Sequence, residues 1–235
     1  REQRLQVLNR ILRHNLRNDG NFVDGAVERL LNDPDGRDQY ARLIRERVRS
    51  LVDMGEKART IEELVAADRR RDSPMAVDRI VRRAVERAND DADRTVTVDG
   101  DQSVGVVAND FVLEAIITEL VENALEHAGS DPSVVIASAI DQSGALEITV
   151  TDDGPGIPEH EIAVLRTGEE GPLEHGSSIG LWLVKWGSER IGADFQFETP
   201  PSGGTRVVLR VPATLVVENT TAAIDAGRDD VRLSA

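Results

Sequence analysis

A chain of 235 residues with 40% hydrophobic side chains is long enough for two small packed domains, which excludes an intrinsically disordered protein. Its 28 basic and 43 acidic side chains leave a net charge of −15, which argues against a nucleic-acid surface, because phosphate backbones are bound by positive fields. There is no cysteine, so disulfides and thiolate metal sites are excluded as well. Lys57 and Lys185 are the only lysines in an arginine-rich, acid-rich chain, a balance expected of a protein from a salt-loaded cytoplasm, where dense carboxylates hold hydration.

Leu5, Leu8 and Leu12, then Phe22, Ala26 and Leu30, recur at three- and four-residue steps and predict one long helix from about Arg1 to Leu31. Asn32-Asp33-Pro34-Asp35-Gly36 breaks it. A second helix, from about Arg37 to Ala67, carries Ile44, Val48, Leu51, Met54, Ala58, Ile61 and Val65 in heptad-like spacing. The resulting hairpin has too few large apolar residues to bury its stripe alone, so pairing into a four-helix bundle is expected. Arg69-Arg70-Arg71-Asp72 reads as a charged linker, and Ser73-Pro74 as the N-cap and first position of a helix ending near Asn89.

Strand signals follow at Arg94 to Val98 and Val104 to Val107, then an apolar helix from Asp110 to His127, then strands at Ser133 to Ile140 and Ala145 to Thr151. A helix from Leu181 to Arg190 and strands at Asp194 to Glu198 and Thr205 to Val211 complete an α+β chain. Its second half is a mixed sheet with helices gathered on one face. The expected division is a helical hairpin over 1–70, an α/β sandwich over 71–212, and an acidic tail over 213–235 with no evident role. Trp182 and Trp186, four residues apart, are expected in the core, and His160 and His175 are given no role, since neither has ligand spacing to a partner.

Three stretches carry chemistry. Leu146 to Val150 runs into Asp152-Asp153-Gly154-Pro155-Gly156, where a carboxylate at a strand end, followed by two glycines, can sit at a pocket floor against a flat ligand. Taken alone, such a turn is more often a hairpin or loop than a nucleotide site. On the apolar helix, Glu119 and Asn123 are four residues apart and share a face, where a carboxylate and an amide oxygen could serve magnesium and water. Gly176-Ser177-Ser178-Ile179-Gly180 opens the following helix with small residues that let backbone N–H groups face phosphate. Between them the polar, Glu- and Gly-rich segment from Pro158 to Gly176 reads as a lid.

With Gly203-Gly204-Thr205 before the last strand, this order resembles the N, G1, G2 and G3 boxes of the GHKL ATPase superfamily, most closely sensor histidine kinases, over nearly the whole chain. The resemblance implies ATP and Mg²⁺ as cofactors, with Asn123 toward magnesium, Asp152 toward the adenine amine, and Gly154 and Gly156 for close approach. It also places Thr205 on the adenine side and has Gly176 and Gly180 shaping the phosphate end. Glu119 is either a proton acceptor or an orienter of magnesium. The resemblance further makes His14 the phosphoacceptor, followed by Asn15, Leu16, Arg17 and Asn18, with Asn18 orienting the water that dephosphorylates a partner aspartate. The implied partners are a second copy of the chain and a response-regulator receiver domain. The chain starts at Arg1 without Met or signal peptide and has no run approaching a transmembrane span, so it reads as a cytoplasmic piece of a longer sensor protein, without membrane contact.

Three residues depart from the pattern: Asn15 stands where a carboxylate is usual, Glu126 where a phosphate-side Lys is frequent, and Ser178 where Gly is frequent. An ATP-binding, catalytically weak scaffold and an ATP-hydrolysing GHKL machine are therefore the alternatives, the second disfavoured because those machines lack a His14-type hairpin.

Overall fold

The computed structural model describes residues 2–33, 35–89, 95–100, 104–127, 133–156, 178–201 and 203–217. The two predicted amphipathic helices are α1, Glu2–Asn32, and α2, Arg37–Ala66. They pack along each other, tied by an ion pair between Arg47 and Asp19 at 3.6 Å and by the Arg47 guanidinium 4.8 Å above the Phe22 ring. The apolar stripe is only half covered. Met54, Ile61 and Leu64 of α2 are buried, whereas Leu16, Phe22, Val27, Leu31, Val48 and Val52 of the hairpin are exposed.

The charged stretch after α2 is a strand rather than a linker. β1, Arg70–Ala76, pairs antiparallel with β3, Gly105–Ala108, so Ser73-Pro74 does not begin the next helix; α3 runs Val77–Ala88 with Ala76 at its N-cap. Proline lacks a ladder donor and is tolerated at edges and irregularities, and Pro74 falls where the β1 register shifts between Arg70 and Met75. In α3, Val77, Ile80, Val81 and Ala84 recur at helical spacing and are all buried, the pattern of a helix with one face on a core.

The main sheet has five strands in the order β2-β4-β5-β7-β6. These are β2 (Thr95–Gly100), β4 (Ser133–Ile140), β5 (Leu146–Thr151), β6 (Asp194–Glu198) and β7 (Arg206–Val211). β2 and β4 are parallel and the remaining pairs antiparallel, the mixed sheet that was expected. Alternation decides which face is covered: Val134 and Ile136, Leu146, Ile148 and Val150, and Val207, Leu209 and Val211 point inward. Their neighbours Val135, Arg206 and Arg210 are exposed on the other side.

Helices α3, α4 (Asp110–His127) and α5 (Ser178–Ile191) lie on the inward face. α4 is buried on most of its circumference, from Val112 and Leu113 to Ala124 and Leu125, which is why its sequence is apolar nearly all round. Trp182 and Trp186 stack in this core with centroids 5.0 Å apart, as core residues and not as a ligand platform. The N-terminus of α4 is held by charge: Asp110 and Glu114 are buried and paired with Arg71, Arg83 and Arg87. Burial pulls Asp110 upward, but the hydrogen bonds and charges of Arg71 and Arg83 outweigh it and hold the carboxyl below its usual range.

Residues 213–217, expected to open the tail, belong to the fold. A 3-10 turn at Ala213–Leu215 buries Leu215 completely, and β8, Val216–Val217, adds to β3 to complete a second sheet of order β1-β3-β8. The rest of the tail, from 218, lies outside the described residues.

The hairpin is not a separate body. Ile61 and Leu64 share one apolar core with Ile116 and the helices of the second half, and α2 packs directly on α5. Gly187 marks the contact: a Cβ there would sit 2.7 Å from Ile116 and 3.0 Å from Leu64.

Candidate nucleotide and phosphoacceptor site

β5, the central strand, delivers Asp152 to one end of the sheet. Its backbone N–H donates to the Thr205 carbonyl at 2.9 Å, continuing the β5–β7 ladder past the Thr151–Arg206 pair. Its Oδ1 accepts from the Gly154 N–H at 2.9 Å and from the Thr205 N–H at 3.2 Å. Two backbone donors fix one carboxylate oxygen, and among the described residues Oδ2 has no partner, so an acceptor is presented at a set angle. Thr205 is buried beside it. Gly204 is what allows this approach: it has φ +86°, and a Cβ there would lie 2.0 Å from the Asp152 carbonyl oxygen. Gly156 also lies in the left-handed region, with φ +87°. Gly154 abuts the end of α4, where a Cβ would come 2.6 Å from the His127 carbonyl oxygen.

α4 thus connects this end of the site to a second cluster two turns back, about 12 Å along its axis. There Glu119 is 2% exposed, and its Oε1 accepts from the Asn123 Nδ2 at 3.2 Å, the shared face that the four-residue spacing predicts. Gly180, at the start of α5, lies flush against the same carboxylate; a Cβ would meet Glu119 Oε1 at 1.8 Å. One helix therefore carries the pair, and the next helix begins on top of it.

A residue that spacing did not single out completes the cluster. Lys57 reaches over from α2 and places Nζ 2.9 Å from Glu119 Oε1 and 3.1 Å from Glu122 Oε2, with Asp53 at 3.5 Å on its own helix. Burial alone would lower Lys57, but the surrounding carboxylates hold the ammonium above its ordinary range. Burial pushes Glu119 up to about 7, against the pull of the Lys57 charge and hydrogen bond. The one signal in the sequence was rarity, since Lys57 is one of only two lysines.

The donors suit a hard cation. With Nδ2 given to Glu119, Asn123 keeps its Oδ1 as an oxygen ligand, and Glu119 adds a carboxylate. Among the described residues no group of three or more His, Cys, Asp or Glu side chains is placed to hold a metal ion. Gly176 and the lid from Pro158 to Gly176, with His160 and His175, lie outside the described residues. Glu126 is on the exposed last turn of α4.

On α1, His14 is exposed, as the interrupted apolar rhythm implies. Asn15 Oδ1 and Asn18 Nδ2 both lie 3.3 Å from its Nδ1. The two amides make opposite demands: Asn15 accepts from a protonated Nδ1, leaving Nε2 with its lone pair, whereas Asn18 donates to a bare Nδ1. Asn18 thus touches the ring one turn along.

Residues 108–215 match the family model described as "Histidine kinase-, DNA gyrase B-, and HSP90-like ATPase". Sensor-type histidine kinase PrrB of Mycobacterium tuberculosis is 34% identical over 103 residues, which are 43% of this chain and 23% of the relative. Sensor histidine kinase PdtaS of Mycolicibacterium smegmatis is 32% identical over 149 residues, 60% of this chain and 28% of the relative. The chain thus spans about a quarter of the length of the curated relatives it matches. Among solved structures, Acinetobacter baumannii histidine kinase AdeS shares the fold over 85% of this chain and 98% of its own, with a TM-score of 0.61 at 16% identity. Over residues 108–215 the chain is thus similar to histidine kinase-, DNA gyrase B- and HSP90-like ATPases, and the curated relatives named above are sensor histidine kinases.

Proposed function

We propose that this chain is the kinase core of a two-component sensor: it transfers the γ-phosphoryl group of ATP to His14 and then to an aspartate of a response-regulator receiver domain. The observation that carries the reading is the meeting of Glu119, Asn123 and Gly180 on one side of α4, the helix whose far end Gly154 abuts, in a chain whose hairpin exposes a histidine. Asp152 Oδ2 accepts from the adenine amine, with Gly154, Gly156 and Thr205 closing on the ring. Asn123 Oδ1 holds magnesium, and Gly180 with Gly176 forms the phosphate end. Bound magnesium neutralises phosphate charge. His14 Nε2 attacks phosphorus with its lone pair, the bond from the γ-phosphorus to the β–γ bridging oxygen breaks, and ADP leaves with that electron pair. Asn15 Oδ1 orients the ring for this by accepting from Nδ1. Glu119 either takes a proton or orients the magnesium shell.

The exposed stripe of Leu16, Phe22, Val27, Leu31, Val48 and Val52 supports a homodimer through a four-helix bundle. Both ATP and receiver domains are supplied by the cytoplasm, so the reading places this core there; among the described residues no helix is long and apolar enough to cross a membrane. A second reading, an ATP-binding scaffold with weak catalysis, is supported by Asn15, because an amide accepts the ring proton less strongly than a carboxylate. Incubation with γ-labelled ATP decides between them. Acid-labile label on the protein is the expected result, bound but intact ATP would favour the scaffold, and free phosphate without labelled protein would favour an ATPase.

A further inference from the structure

Lys57 belongs to the hairpin, yet its closest partner is the most deeply buried carboxylate of the nucleotide cluster. A carboxylate as buried as Glu119 needs a cation beside it, because an unpaired buried charge is strongly disfavoured. In this structure that cation is the Lys57 ammonium, and the oxygen it binds is the one that also accepts from Asn123. The contact is built to be given up. Asp53, one turn back on α2 and more than half exposed, stands 3.5 Å from Nζ and would keep Lys57 paired after release, and Glu122 is exposed enough to be solvated. Ile61 and Leu64, one and two turns further along α2, supply the apolar part of the same docking surface.

We propose that Lys57 is a placeholder at the nucleotide site contributed by the hairpin: its ammonium occupies Glu119, and a divalent cation arriving with nucleotide takes its place there. Rested on the nucleotide-site reading above, this makes hairpin docking at Lys57 and magnesium-nucleotide binding compete for one carboxylate, since two cations repel strongly at a poorly screened site. Competition at equilibrium is reciprocal, so removing the ammonium must tighten the nucleotide complex.

The test is calorimetric titration of the chain with a non-hydrolysable ATP analogue, with magnesium and with EDTA. Relative to wild type, Lys57→Ala is expected to bind the magnesium complex about threefold to tenfold more tightly, within the usual range of coupling between sites. Lys57→Arg is expected to restore wild-type affinity, and the gain is expected to vanish in EDTA. A residue serving only the fold would not tighten binding when removed. Weaker binding by Lys57→Ala would make Lys57 a phosphate ligand and overturn the competition, as would a gain of the same size in EDTA. Absence of any analogue binding by wild type would instead overturn the nucleotide-site reading, and this inference with it.

Discussion

Asp152 carries two backbone hydrogen bonds on one oxygen and offers the other, so its replacement tests the adenine end without disturbing the turn. Asp152→Asn keeps an oxygen for Gly154 and Thr205 but turns an NH₂ toward the ligand's own amine. A loss of about 1.5–3 kcal/mol in ATP affinity is expected, the range for hydrogen bonds to charged groups. Titration calorimetry reads it, and unchanged affinity would remove Asp152 from the adenine site. For Asn18 the proposed step is a different one, dephosphorylation of the receiver. The Asn18 amide touches the His14 ring, and an amide is sufficient to align water. Asn18→Ala should leave His14 phosphorylation nearly intact and slow the decay of a phosphorylated cognate receiver; equal decay with wild type and variant would leave Asn18 an ordinary solvated residue. The Glu119–Asn123 face was legible because helical geometry alone stacks residues four apart. Lys57 was not, because 62 positions separate it from Glu119 and no local rule connects a hairpin lysine to a carboxylate on another helix.

Elements with apolar rhythm were legible almost to the residue: α4 begins at Asp110 and ends at His127, and β4 and β6 have the bounds that their alternation predicts. Those that rest on pairing were not. β1 contains Arg70, Arg71, Asp72, Ser73 and Pro74, with no alternation to read, and is held by its β3 ladder and by Arg71 on Asp110. β8 is two residues long, and only its place beside β3 defines it. The contact between α2 and α5 turns on Gly187, where two costs oppose each other. Alanine would gain roughly 0.5–1 kcal/mol of helix propensity, but its Cβ would already meet Ile116 at 2.7 Å, and a larger side chain must displace Ile116 and Leu64 further. For Gly187→Leu the second effect wins, and a stability loss of about 1–3 kcal/mol by urea denaturation is expected. An unchanged midpoint would mean that the α2–α5 contact is not part of the cooperative core.

For the whole molecule, the acidic surface makes salt a variable of stability. A net charge of −15 on 235 residues repels itself, and salt screens that repulsion over about 10 Å at 0.1 M. The urea midpoint is therefore expected to rise from low to molar KCl; no gain would remove the salt-loaded setting. The central claim joins the two halves of the chain, a buried nucleotide cluster and an exposed histidine on a docked hairpin. His14→Gln tests it most directly, because the residue is exposed on α1 and lies outside the 108–215 core. After incubation with γ-labelled ATP, wild type should carry acid-labile label, and His14→Gln should carry none while binding ATP within a few fold of wild type. Acid-labile label that persists on His14→Gln would contradict the account.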